Sequence, residues 1–213
     1  MNIITEQLAG DFQRTIERGG IAIFPTDTLY GIACDPDRSD AIERIHQLKG
    51  RPPVKPSAVM YFSVARLLED LEDELDGAVR ELIERVLPGP FTLVVANPHR
   101  RFSASCADAR EKLGLRVPRL GPENAALGTI RLPVMQTSAN LSGAPDAASP
   151  AEIDRSILRG VDLVLDGGPL PGMGSTVADI SELAEGRWRL LRASTPEADQ
   201  LLAEAIGFPA QSD

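Results

Sequence analysis

Ile21-Ala22-Ile23-Phe24-Pro25-Thr26-Asp27-Thr28-Leu29-Tyr30-Gly31 begins with four apolar residues and runs through a proline into a polar turn. The apolar run, bounded by Gly19-Gly20 before it and Pro25 after it, predicts a buried strand. Upstream, Leu8, Phe12 and Ile16 recur at helical spacing and stop at the same glycine pair, so a helix delivers the chain to this strand. In α/β folds the loop beyond a strand end is a common ligand site, and Thr26, Asp27 and Thr28 would offer polar groups there. The plainer reading is an ordinary turn in which Asp27 bonds local backbone.

The same alternation continues along the 213-residue chain. Ser39 is expected to cap a helix carrying Ile42, Ile45 and Leu48 on one face. Strands are expected at 57–62, 91–96, 113–117, 133–137 and 161–165, and Val79, Leu82, Ile83 and Val86 mark another helix, closed by Pro88-Gly89-Pro90. Pro122 fits the first turn of a short helix, and Ser149-Pro150-Ala151-Glu152 reads as a capping box. Residues 175–180 and 187–192 are expected to pair as a hairpin. A last helix opens at Thr195-Pro196-Glu197 with Leu201 and Leu202 inward. Strands interleaved with helices predict an α/β fold, and the closing hairpin makes its sheet mixed. No repeat or linker divides residues 1–213, so a single domain is expected.

Composition narrows the function. Net charge is -9 and aromatics are 4%, which argues against massed phosphate contact and against base-stacking platforms. Cys34, Cys106, His46 and His99 have no metal-ligand spacing, and the histidines read as surface or core residues. Glu69, Asp70, Glu72, Asp73, Glu74 and Asp76 form an acidic block, read as a solvated helix end or loop. Arg100, Arg101, Arg110, Lys112, Arg116 and Arg119 make the next stretch locally basic. With neither a leader-like N-terminus nor an apolar run of membrane-spanning length, a soluble cytoplasmic protein is expected.

Within this acidic chain, Leu48-Lys49-Gly50-Arg51-Pro52-Pro53-Val54-Lys55-Pro56 groups three cations beside a proline turn. Cations at a helix C-terminus are favoured by the dipole, which is one sufficient reason for them. A polyphosphate site is the other: Arg supplies a planar fork and Lys a movable charge, on a turn stiffened by proline. Downstream, Thr137-Ser138-Ala139-Asn140-Leu141-Ser142-Gly143 follows a predicted strand. Arg116, inside the apolar Gly114-Leu115-Arg116-Val117-Pro118, needs an anionic partner, either a structural carboxylate or a substrate's. No P-loop or dinucleotide fingerprint is present, so a nucleotide would be held by another architecture.

These segments together resemble the YrdC-like family of L-threonylcarbamoyladenylate synthases. The matching pieces are 24–31, Lys49-Gly50-Arg51-Pro52 with Lys55-Pro56, Pro88-Gly89-Pro90 with Thr92, 114–118, Ser138-Ala139-Asn140 with Ser142-Gly143, and Ser175-Thr176-Val177 with Asp179. The resemblance implies a twisted open mixed sheet with flanking helices and a concave cleft. It implies condensation of L-threonine, bicarbonate and ATP, with Mg2+, to threonylcarbamoyl-AMP and pyrophosphate, and partner proteins that pass the group to tRNA. By motif match Lys49, Arg51, Lys55, Ser138, Asn140 and Arg192 look like ATP contacts, with Lys49 and Arg51 as the catalytic cations. Thr28, Arg116 and Ser175 look like threonine contacts. Metal ligands are not identified by it.

The chain departs from the pattern at Ser57, usually apolar, and at Met60, often histidine in longer members. Arg192 aligns only across extra residues in the 181–188 turn, and 98–112 matches poorly. Longer members carry a further C-terminal domain, which this chain is expected to lack. Two other readings fit the same residues. One is an RNA-binding module without catalysis, favoured by the basic stretch 100–119, in which direct tRNA contact would be weak. The other is a carbamoyl-adenylate-forming relative serving a different acceptor.

Overall fold

The computed structural model describes residues 2–52 and 55–211, so Pro53 and Val54 of the cationic turn lie outside the described residues. Helix α1 (Glu6–Glu17), capped by the Thr5 hydroxyl, leads into strand β1 (Ala22–Pro25). The segment Tyr30–Cys34, not expected as a strand, is β2, paired antiparallel with β1. The eleven residues quoted above are therefore most of a hairpin. Gly31, Ala33 and Cys34 carry little strand signal of their own; pairing with both β1 and β6 makes them one.

There follow α2 (Ser39–Lys49), β3 (Ala58–Met60), α3 (Val64–Asp70), α4 (Gly77–Val86), β4 (Phe91–Ala96), β5 (Lys112–Arg116), β6 (Val134–Ser138), α5 (Arg155–Gly160), β7 (Leu163–Val164), β8 (Thr176–Asp179), β9 (Arg189–Arg192) and α6 (Pro196–Ile206). The nine strands form one open mixed sheet in the order β7-β1-β2-β6-β3-β5-β4-β8-β9.

Two halves of this sheet are covered differently. Around β1 and β2 both faces are packed. Ala22 and Phe24 join Phe12 and Ile16 of α1, while Ile23 and Ile32 join Ile42, Ile45 and Ile157 from α2 and α5. In the other half α3, α4 and α6 cover one face. Leu113 and Leu115 of β5, Phe91, Leu93 and Val95 of β4, and Ala178 of β8 point into that core. Period-two alternation then sends Gly114, Arg116, Thr92, Val94, Val177 and Asp179 to the opposite face, where they line a hollow. The uncovered half-sheet is the concave cleft.

Other expectations are corrected in detail. Ser39 is the first residue of α2, and Arg38 holds the cap position with no side-chain capping bond, its guanidinium donating to Asp40 instead. The acidic block contains the end of α3, while Asp76 caps α4 by accepting from the Val79 N–H. Ser149-Pro150-Ala151-Glu152 forms a short 3-10 turn rather than a box: Glu152 reaches the Ala148 N–H, one residue early, and the Ser149 hydroxyl donates to Glu152. Helix α5 starts beyond it, capped by Asp154. Of the two α6 leucines only Leu202 is buried; Leu201 is 50% exposed, because neighbours in a helix point about 100° apart.

Four of the six cations in the stretch 100–119 are paired with acids, three of these from other segments. Arg100 pairs with Glu111, Arg101 with Asp70, Lys112 with Asp179, and Arg116 with Asp27. One of these partners, Asp70, comes from the acidic block, and the pairing reduces the cation field that would favour an RNA surface. Among the described residues no helix is long and apolar enough to cross a membrane.

Phe12 sits with its ring 5.0 Å from Phe24 and 5.9 Å from Phe62, fully enclosed between α1 and the sheet. Truncation there leaves a cavity that rigid neighbours cannot fill. Phe12→Ala is expected to cost about 3–5 kcal/mol in urea unfolding, and a loss below about 1 kcal/mol would contradict this packing.

Candidate active site

Helix α2 ends at Lys49, and Gly50 follows in the left-handed conformation at φ 58, which lets the Arg51 N–H return to the His46 carbonyl at 2.9 Å. This is the glycine-ended stop described for helix C-termini. It throws Lys49 and Arg51 in different directions. The Lys49 ammonium, on a residue 2% exposed, reaches the Ser138 carbonyl, the Asn140 carbonyl at 2.6 Å and the Asn140 Oδ1 at 3.3 Å. Arg51 donates from Nη1 to the Thr137 hydroxyl at 3.2 Å and from Nη2 to the Pro56 carbonyl at 2.7 Å. The Lys-x-Arg and Ser-x-Asn segments, about ninety residues apart in sequence, are thus one structure.

Arg116 stands at the end of β5, 3% exposed. Its Nη2 donates to Asp27 Oδ1 at 2.6 Å and to the Thr28 hydroxyl at 2.5 Å. Asp27 does not bond its own turn; its second oxygen accepts the Arg119 N–H at 3.0 Å. Thr26 closes the turn instead, its hydroxyl donating to the Leu29 carbonyl at 2.7 Å. Ser175, at the start of β8, lies 2.7 Å from the Thr92 hydroxyl and accepts from Arg192 Nη2 at 3.1 Å.

The loop before Ser175 is held by β2. Tyr30 donates to the Gly168 carbonyl at 2.8 Å and accepts the Gly167 N–H at 3.0 Å, and its burial pushes the phenol up to about 12. Gly167 needs to be glycine here: a Cβ would lie 2.1 Å from Asn124 Oδ1 and 2.6 Å from Pro25 Cγ.

These pieces surround a hollow of about 400 Å³. That is the size of small-molecule clefts. Arg51, Ser138, Arg116, Ser175 and Arg192 line it. Lys49, Thr28 and Asn140 are not part of its lining and instead hold lining residues in place from behind. Lys55 is exposed and is not part of the lining. The positive charge is confined: burial lowers the pKa values of Arg51 and Arg192, with Arg116 also lowering Arg192 and Asp146 opposing. His46 is buried in α2 and His99 is exposed beside Glu74, so neither histidine faces the hollow.

Sequence reasoning missed Gln136, Leu29, Asp146 and the pair of Lys112 with Asp179 in the lining. Gln136 was findable, since it precedes Ser138 by two on the same strand and so shares its face. Asp146 carries no local signal. Among the described residues no group of three or more His, Cys, Asp or Glu is arranged to hold a metal ion.

A family model described as Sua5_yciO_yrdC, telomere recombination, matches residues 14–194. The threonylcarbamoyl-AMP synthase of Mus musculus is 32% identical over 184 residues, covering 83% of this chain and 63% of that protein. The threonylcarbamoyl-AMP synthase of Xanthomonas campestris pv. campestris (strain B100) is 34% identical over 158 residues, covering 72% and 82%. Among solved structures, P. abyssi Sua5 complexed with L-threonine superposes with a TM-score of 0.79 at 26% identity, covering 97% of this chain and 60% of that one. E. coli YciO gives 0.74 at 25% identity, covering 90% and 91%. The chain spans less than two thirds of the length of the mouse, rat and Bacillus subtilis relatives. With the matched region, the shared sheet and the convergence of its motifs on one hollow, the chain belongs to the Sua5/YciO/YrdC family.

Proposed function

We propose that the chain is an L-threonylcarbamoyladenylate synthase, joining L-threonine, bicarbonate and ATP into threonylcarbamoyl-AMP and pyrophosphate. The observation that carries this reading is the meeting of Arg51, Ser138, Arg116, Ser175 and Arg192, from five separate segments, on one hollow. In this reading Arg51 and Arg192, with Ser138, face the triphosphate, while Lys49 and Asn140 fix the loop that presents Ser138. Arg116 faces the amino acid carboxylate and Ser175 lies between the two sites, bonded to Arg192. The product would pass to tRNA-modification proteins in the cytoplasm.

The chemistry asks little of a side-chain base. Threonine's amine adds to the bicarbonate carbon, and loss of water gives a carbamate. A carbamate oxygen then attacks the α-phosphorus and pyrophosphate leaves. Negative charge builds on phosphate oxygens, which fixed cations stabilise without reorganising. Mg2+ fits as a companion of the ATP phosphates, supplying further charge neutralisation, since the hollow's carboxylates are Asp146 at the rim and Asp179, already bonded to Lys112 and Ser181.

Mass spectrometry of the product from ATP, threonine and bicarbonate tests the reading; pyrophosphate release that ignores threonine, or that prefers carbamoyl phosphate, would refute it. Arg116→Ala removes a charged contact worth about 1.5–3 kcal/mol, so threonine use should weaken roughly ten- to a hundredfold. Wild-type threonine kinetics in that variant would refute the role of Arg116.

Lys49 also gives a pH signature. Burial, then the Arg51 charge, pulls its ammonium down from 10.5 to about 8, with Asp146 opposing. Because the folded value is the lower one, the unfolded chain holds the proton more tightly. The group therefore costs stability below pH 8, and that cost fades as pH rises from about 8 to 10.5. Urea unfolding should show wild type gaining on Lys49→Met across that window; a flat difference would contradict the assignment.

A further inference from the structure

We infer that Asp27 is a positioning residue for amino acid recognition, acting on the substrate carboxylate only through Arg116. The inference rests on the function proposed above and concerns a residue that contacts no substrate in that reading.

The geometry is specific about which part of Arg116 is spent. Its Nη2 serves three acceptors at once: Asp27 Oδ1 at 2.6 Å, Thr28 Oγ1 at 2.5 Å and Thr26 Oγ1 at 3.4 Å. Nε is buried without a partner, and no hydrogen bond from Nη1 is formed among the described residues. Arg116 nevertheless lines the hollow. Because Nε has no exposed surface, Nη1 is the donor left for a bound carboxylate, and the anchoring of Nη2 decides where it points.

Asp27 is suited to that anchoring. Its side chain is 7% exposed against 4% for Arg116, so neither charge is screened by much water. Oδ2 is fixed by the Arg119 N–H at 3.0 Å, one turn of chain beyond β5. The carboxylate is held from the same segment whose arginine it orients. A guanidinium freed from this cradle keeps its charge but loses its direction, and a carboxylate bound by one directed donor is sensitive to that loss. The negative charge of Asp27 also weakens the pull of Arg116 on any incoming anion. Selectivity would come from placement rather than from raw field strength.

Asp27→Asn and Asp27→Ala separate these roles. Asn keeps an acceptor for Nη2 but sets an N–H donor against the Arg119 N–H; Ala keeps neither acceptor. The threonine KM in pyrophosphate release should rise in the order wild type, Asn, Ala, reaching roughly tenfold or more for Ala, as loss of a charged hydrogen bond implies. The ATP KM should stay within about twofold, because the nucleotide cations belong to other segments. A threonine KM unchanged in the Ala variant, or an ATP KM that rises with it, overturns the inference. Since removing one partner of a buried pair can unfold a protein, cooperative melting of each variant is recorded. Should Ala not fold, an Asn variant with wild-type threonine KM overturns the inference and a raised threonine KM alone supports it. Wild-type enzyme is run beside them: no threonine-dependent turnover there defeats the proposed function and this inference with it. Normal wild-type turnover with an indifferent Ala variant defeats only the role of Asp27.

Discussion

One buried ammonium holds the site together. Lys49 projects from the end of α2 into a ring of oxygens supplied by Ser138 and Asn140, two of them backbone carbonyls. An unpaired charge in that position would be prohibitively costly, whereas a charge surrounded by acceptors is tolerated and rigid. The acceptors lie at and just beyond the end of β6, and the Ser142 N–H returns a bond to the Lys49 carbonyl at 2.8 Å. A helix end and a strand end are thereby locked in both directions. Arg51, next but one along the chain, inherits its place from that lock.

The sheet makes the rest possible through unequal coverage. Strands with apolar residues on both faces, such as β1 and β2, are sandwiched between helices. Strands β4, β5 and β8 are wholly apolar on one face alone, and the other mixes Val94 and Val177 with Thr92, Gly114, Arg116 and Asp179. A face with those residues cannot be buried under a helix without stranding charge, so it stays open and concave. Arg116 illustrates the balance. It sits deep in this wall because Asp27 and two threonine hydroxyls arrive from the β1 to β2 turn to satisfy it.

Much of this was legible. Helices α1, α2, α4 and α6 and most strands follow from apolar spacing bounded by glycine or proline. The grouping of Lys49 with Arg51 and of Ser138 with Asn140 marked the right two segments. What escaped was non-local. Strand β2 is a strand because of its neighbours, and most cations of 100–119 are paired with acids, some from as far away as Asp70 and Asp179. A charge count along the chain cannot tell a paired arginine from an available one.

The sequence alone determined the class of fold, because hydrophobic period and turn residues are local properties of the chain. It also determined which residue types stood ready for phosphate and carboxylate. The tertiary structure decided which of them face the cleft and which stand behind it. Lys49 and Thr28 are buried as supports, while Arg51, Arg116 and Arg192 reach the hollow. That division depends on distances between segments far apart in the chain, and only the packed sheet sets those.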